Sequence, residues 1–249
     1  MKIALAASLL LSCATSTLAL DYEAQRANTV RRCEAISPSE YQSGLFFNPA
    51  GYRSYYVRSE CFQRAAIQFR DTPLCTKVIQ RHSLFASSWG YSQGQCRKLV
   101  AEGIAADGRE LEQKKTKYAL DPIQLRDFRI ERNGNGRDFD IVPILGGSSG
   151  GSYILRFEIL QSNSAKEAVS LHSSGYYLDG NSNLRIFIRQ EDIRKRFAGF
   201  SLYHTYTVQG TLIFDVGNGT PSGYWSDSFV EGLFPEKQRR QFFIKQIRF

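Results

Sequence analysis

Two hydrophobic periods divide this chain near residue 122. Before that point, apolar side chains recur three and four positions apart, the spacing that gathers them on one face of a helix. Ile36 follows Cys33 by three residues and Val78 follows Cys75 by three, while Cys61 leads into Ala65-Ala66 and Cys96 into Val100-Ala101. Residues 95–117 predict a long helix, weakened by Gly103 and Gly108. Helix starts are signalled at Ser37-Pro38-Ser39-Glu40 and at Ser92-Gln93-Gly94-Gln95, both with capping-box spacing. Thr72-Pro73 adds an N-cap followed by proline at the first helical position. After Asp121-Pro122 the period becomes two. Tyr153, Leu155, Phe157 and Ile159 share one face, as do Leu184, Ile186 and Ile188 with Phe187 opposite. Tyr206, Val208, Leu212 and Phe214 continue the alternation, and residues 242–249 close the chain as a strand. Turn clusters at 133–136, 146–151, 179–181 and 217–219 separate these runs, and 191–197 reads as a short helical insert.

The expected fold is therefore α+β in two domains. Residues 20–122 predict a disulfide-stapled bundle of four or five helices. Residues 123–249 predict a seven-strand, antiparallel, immunoglobulin-like β-sandwich, with a small barrel as the other closure such a pattern allows.

Cysteine placement sharpens the first half. Cys33, Cys61, Cys75 and Cys96 all precede residue 100 and form no C-x-x-C pair of the kind a zinc ribbon or redox site needs. Two stretches match each other in register. Cys33, Leu45-Phe46, four residues, Gly51-Tyr52 and Cys61 correspond to Cys75, Leu84-Phe85, four residues, Gly90-Tyr91 and Cys96. We read a tandem helix–loop–helix duplication with bridges inside each copy, Cys33–Cys61 and Cys75–Cys96. Cys61 lies about nine residues before the turn at 70–72, roughly 13 Å along a helix, so a Cys61–Cys75 bridge is disfavoured. The stretch from Cys61-Phe62 to Leu74-Cys75 is similar to cysteine-bearing helical repeats of exported prokaryotic proteins, a resemblance that implies no activity.

The first residues read as a leader. Lys2 precedes an apolar run at 3–11, and Thr17-Leu18-Ala19 fits signal-peptidase cleavage after Ala19. Such a run is too short to span a bilayer, and no later segment is apolar enough to do so. Leu10-Leu11-Ser12-Cys13 offers lipid anchoring through Cys13 as a minor alternative. The expected compartment is the periplasm or the exterior, where disulfides persist. The whole chain carries +8, and removing Lys2 leaves 31 basic against 24 acidic residues, or +7. That balance suits anionic surfaces, although Arg31-Arg32, Lys114-Lys115, Arg194-Lys195-Arg196 and Arg239-Arg240 are scattered as on solvated helix faces.

Candidate chemistry is sparse. Residues 146–151 satisfy G-x-S-x-G twice and resemble the nucleophile elbow of α/β-hydrolases, with Asp179 or Asp192 and then His204 in triad order. That fold needs a helix after the elbow, whereas 152–160 alternate as a strand, so a flexible hairpin loop is expected. Residues 131–138 are similar to the calcium loops of integrin-type propellers, but Glu131, Asn135 and Arg137 depart from that pattern and favour a plain turn. Phe243, Ile247 and Phe249 resemble the closing strand of outer-membrane barrels, which Lys245 on the same face interrupts. His82, His172 and His204 have no metal-ligand spacing, and Glu158, Asp192 and Asp215 form no evident pair for glycoside hydrolysis. No cofactor, metal or nucleic-acid partner is expected. The best-motivated binding residues are the two aromatic loops, through Leu45, Phe46, Tyr52, Leu84, Phe85, Trp89 and Tyr91. The expected function is non-enzymatic binding of an envelope or extracellular protein or glycan. A hydrolase of glycans or peptidoglycan and an electrostatic binder of anionic surfaces are the alternatives.

Overall fold

The structure, a computed structural model, describes residues 16–43, 54–79, 91–148, 150–161, 167–220 and 223–249. In chain order the elements are α1 (Ser16–Ala35), β1 (Tyr41–Ser43), β2 (Ser54–Tyr56), α2 (Val57–Phe69), a 3₁₀ helix (Thr72–Lys77), α3 (Gln93–Leu120), β3 (Gln124–Arg132), β4 (Phe139–Gly146), β5 (Gly151–Leu160), β6 (Ala168–Leu178), β7 (Ile186–Ile188), α4 (Gln190–Arg196), β8 (Thr205–Phe214), β9 (Gly219–Thr220), β10 (Gly223–Tyr224), α5 (Asp227–Leu233), α6 (Glu236–Arg239) and β11 (Arg240–Arg248). Helix and antiparallel sheet thus mix in one chain. It gathers into two compact units, Met1–Leu111 with Asn218–Leu233, and Glu112–Gly217 with Phe234–Phe249.

In the first unit, α2 buries Phe62, Ala65, Ala66 and Phe69, at helical spacing, against Cys33, Leu74, Val78 and Val100. Disulfides join Cys33 to Cys61 and Cys75 to Cys96, with Cα separations of 5.4 and 5.6 Å. Both second cysteines sit in the opening turns of their helices, α2 and α3. Ser92 caps α3, its hydroxyl accepting the Gln95 N–H at 3.2 Å. Helix α2 ends at Arg70, in the left-handed region at φ 54°. The Asp71 N–H then reaches back to the Ala66 carbonyl at 2.9 Å, and the Tyr22 hydroxyl donates to the Phe69 carbonyl at 2.8 Å.

Between residues 20 and 120 the described residues hold three α-helices and one 3₁₀ helix. One expectation changes here. The predicted helix start at Ser37-Glu40 is instead a turn, with the Glu40 N–H bonded to the Ser37 carbonyl at 3.1 Å. The chain leaves that turn as β1, because Tyr41 pairs with Tyr56 of β2 across an antiparallel ladder.

The second unit holds two open antiparallel sheets, ordered β3-β4-β7 and β11-β8-β5-β6. The period-two pattern works as expected: Tyr153, Leu155, Phe157 and Ile159 of β5 are all buried. Rings from one sheet meet rings from the other, Phe128 of β3 against Phe157 at 5.0 Å and Phe139 of β4 against Phe249 at 5.3 Å. β4 and β5 do not form a hairpin with each other. They belong to different sheets, since β4 pairs with β3 and β7 while β5 pairs with β6 and β8. Lys245 points inward and bonds both oxygens of Asp127, at 2.9 and 3.0 Å. Burial alone would raise the Asp127 pKa. The Lys245 ammonium and the Phe128 N–H outweigh it and hold the carboxyl below its ordinary range.

Two of the basic pairs are not simply solvated. Lys114 donates to the Val216 carbonyl at 2.7 Å, and Arg239 donates to the carbonyls of Phe234 and Phe214 at 3.1 and 2.9 Å. Each satisfies chain-end or strand-end acceptors that would otherwise need water.

Candidate functional site

Of the expected loop residues, Leu45, Phe46, Tyr52, Leu84, Phe85 and Trp89 lie outside the described residues. Tyr91 is described, and it belongs to a group of half-buried tyrosines. Tyr41 and Tyr56 meet edge to face at 5.6 Å, and Tyr55 and Tyr91 at 5.1 Å. The Tyr55 hydroxyl donates to Gln42 Oε1 at 2.9 Å. Glu60, on α2, accepts the Tyr91 hydroxyl and pairs with Arg64 one turn later at 2.5 Å. Burial, and then the Glu60 carboxylate, push the Tyr91 pKa up to about 12. Tyr55 and Tyr91 stand at the ends of the two loops that the sequence repeat marks.

A second constellation in the same unit escaped the sequence reading. Arg70 Nε and Nη2 grip the two oxygens of Asp107 at 2.6 and 2.9 Å, and Nη1 bonds the Ile67 carbonyl. Their side chains are only 13% and 3% exposed, so both charges are largely desolvated. Such a pair persists only with good geometry. Glycine at two positions makes room for it. A Cβ at Gly103 would sit 2.7 Å from Arg70 Cζ, and one at Gly223 would sit 2.5 Å from Nη2. The guanidinium is held on one edge by Asp107 and at Nη1 by the Ile67 carbonyl, so moving it aside would break those bonds. Beside the pair lies a cavity of about 150 Å³, walled by Tyr22, Phe69, Tyr224, Trp225 and Phe229. Phe69 and Tyr224 stack at 5.4 Å, and Tyr22 meets Tyr224 edge-on at 6.4 Å. One sequence signal could have found it. Asp107 falls on the buried stripe of α3, with Cys96, Val100 and Leu111, where an acid is out of place unless paired.

The look-alike motifs find other employment. The Ser148 hydroxyl and N–H both bond Asp121, and no hydrogen bond joins Ser148 to His204 among the described residues. In the 133–138 turn, Asn135 Oδ1 accepts the N–H groups of Arg137 and Asp138 at 2.9 and 3.0 Å, as a turn residue does. Asp215 accepts the Gly217 N–H at 2.9 Å, while Glu158 lies on β5 and Asp192 on α4. His172 Nε2 shares a hydrogen bond of 2.9 Å with the Tyr176 hydroxyl, and burial lowers its pKa. It borders an open cavity of about 220 Å³ together with Arg189, Asp192 and Arg196, all three exposed. His82 and Cys13 lie outside the described residues.

Comparison with protein-family models finds no match, and no curated protein matches the chain. Two disulfides fit an oxidising compartment, extracellular or periplasmic. Among the described residues no helix is long and apolar enough to cross a membrane.

Proposed function

We propose that this is an exported, non-enzymatic binding protein of the periplasm or cell envelope, freed from its leader after Ala19, which engages an envelope or extracellular protein or glycan through its paired aromatic loops. One observation carries the reading. Two tyrosine pairs, Tyr41 with Tyr56 and Tyr55 with Tyr91, stand on the two faces of the β1–β2 ribbon beside the ends of the two loops, so loop aromatics would extend faces that already carry tyrosine. Tyrosine supplies large contact area at small cost in side-chain freedom, with a hydroxyl for orientation. The second unit is read as an immunoglobulin-like sandwich. The support is its strand order, with the first, second and fifth strands in one sheet and the third, fourth, sixth and seventh in the other. A tyrosine near the start of the sixth strand adds to it: Tyr206 bonds the backbone of Ser201, as at the tyrosine corner of such folds.

Co-sedimentation of the purified protein with envelope fractions, at low and high salt, tests the binding. Wild type is expected to sediment at both salt concentrations, and the folded double variant Phe46→Ser, Phe85→Ser to stay in the supernatant. Release of both proteins by salt would reduce the interaction to surface charge. Release of soluble sugar or peptide fragments from the envelope would make the protein a hydrolase instead.

A further inference from the structure

We propose that the aromatic cavity beside Arg70 and Asp107 is a binding site for a single neutral sugar ring, separate from the tyrosine surface and independent of it. The walls and the polar floor select that chemistry between them. Tyr224, stacked on Phe69, and Tyr22 present flat π-faces on which the C–H face of a pyranose can lie. At the floor, Asp107 spends two acceptor sites on Arg70, and a carboxylate has about four. Asp107 can therefore still accept from a ligand hydroxyl, and the guanidinium retains N–H groups to donate.

Charged ligands fare worse. A cation drawn to the rings would meet Arg70, and an anion drawn to Arg70 would meet Asp107, at a site where both charges are already buried and matched. A ligand with donors and acceptors but no net charge faces neither conflict. The cavity holds about 150 Å³, less than a whole pyranose fills, so it receives one face of a single ring and excludes an oligosaccharide. The chain also invests in this place. The segment Asn218–Leu233 belongs to the helical unit although it follows β8 in sequence, and it brings Tyr224 and Trp225 to the cavity.

Saturation-transfer NMR on the intact protein tests the site. The probes are the methyl glycosides of glucose, galactose and mannose, N-acetylglucosamine, and, as charged controls, glucuronate and tetramethylammonium. At least one neutral pyranoside should bind with a Kd on the order of 1 mM, as expected for a single small ring, and the charged controls at least about tenfold more weakly. Ile104 borders the cavity from a partly exposed position, 39% accessible, and takes no part in the ion pair. Ile104→Trp should fill the cavity and abolish the transfer at an unchanged melting temperature. Asp107→Asn should weaken binding as well, and if that variant does not fold, Ile104→Trp by itself discriminates. Absence of transfer to every neutral probe, transfer that survives Ile104→Trp, or preference for either charged control would overturn the proposal.

Discussion

Tyr91 shows how one side chain reports on its surroundings. Its hydroxyl keeps the proton up to about 12 because burial and the neighbouring Glu60 both oppose the phenolate. In the unfolded chain a tyrosine ionises near 10. The folded state therefore holds the proton more tightly, and its contribution to stability is complete below about pH 10 and is lost as pH rises towards 12. Tyr22, Tyr55 and Tyr153 are also pushed up by burial, so ultraviolet titration should show a late-ionising group from which Tyr91→Phe removes one tyrosine and in which Glu60→Gln moves one down towards the ordinary range. A titration unchanged by Glu60→Gln would leave burial as the whole cause. At the same scale, Arg70 and Asp107 could not be paired from sequence, because a guanidinium at a helix end and a carboxylate 37 positions later carry no mutual signal. Only Asp107 could have been picked out, as an acid on an apolar stripe.

Among the elements, strands were easier to read than helices. Period two survives wherever one face is buried, and β5 and β8 sit in the middle of a four-strand sheet with their apolar faces inward. Ser37-Glu40 misled because capping-box spacing is a local preference, which a cross-strand tyrosine pair overrides. The Gly-Ser segment at 146–151 misled in another way: residues that make hairpins also make crossings between sheets, and ladder partners alone distinguish the two. The corner before β8 depends on one hydroxyl. Tyr206 accepts the Ser201 N–H at 2.6 Å and donates to the Ser201 carbonyl at 3.0 Å. Tyr206→Phe should cost about 1–2 kcal/mol in chemical denaturation, since it leaves the partly buried Ser201 N–H unpaired while the Ser201 carbonyl keeps the His204 N–H. An unchanged midpoint would show that water serves the corner equally well.

For the molecule as a whole, covalent links and chain order matter most. The disulfides close loops with sequence separations of 28 and 21, each removing about 3–4 kcal/mol of unfolded-chain entropy in the loop-closure account. The double variant Cys33→Ser, Cys61→Ser should lose about 2–5 kcal/mol and lower the denaturation midpoint of the helical unit. A smaller loss would mean that the buried face of α2 suffices without the bridge. What the sequence by itself determined is whatever a short window contains: the change of hydrophobic period near residue 122, the cysteine register of the repeat, and the cap of α3. Those follow from backbone geometry and side-chain spacing, which act locally. Tertiary structure alone decided which strands share a sheet, that 218–233 joins the helical unit, and that Tyr22, Arg70, Asp107 and Tyr224 surround one cavity. Contacts between distant segments depend on how whole faces pack and on which buried charges find partners, and no single stretch of sequence records either.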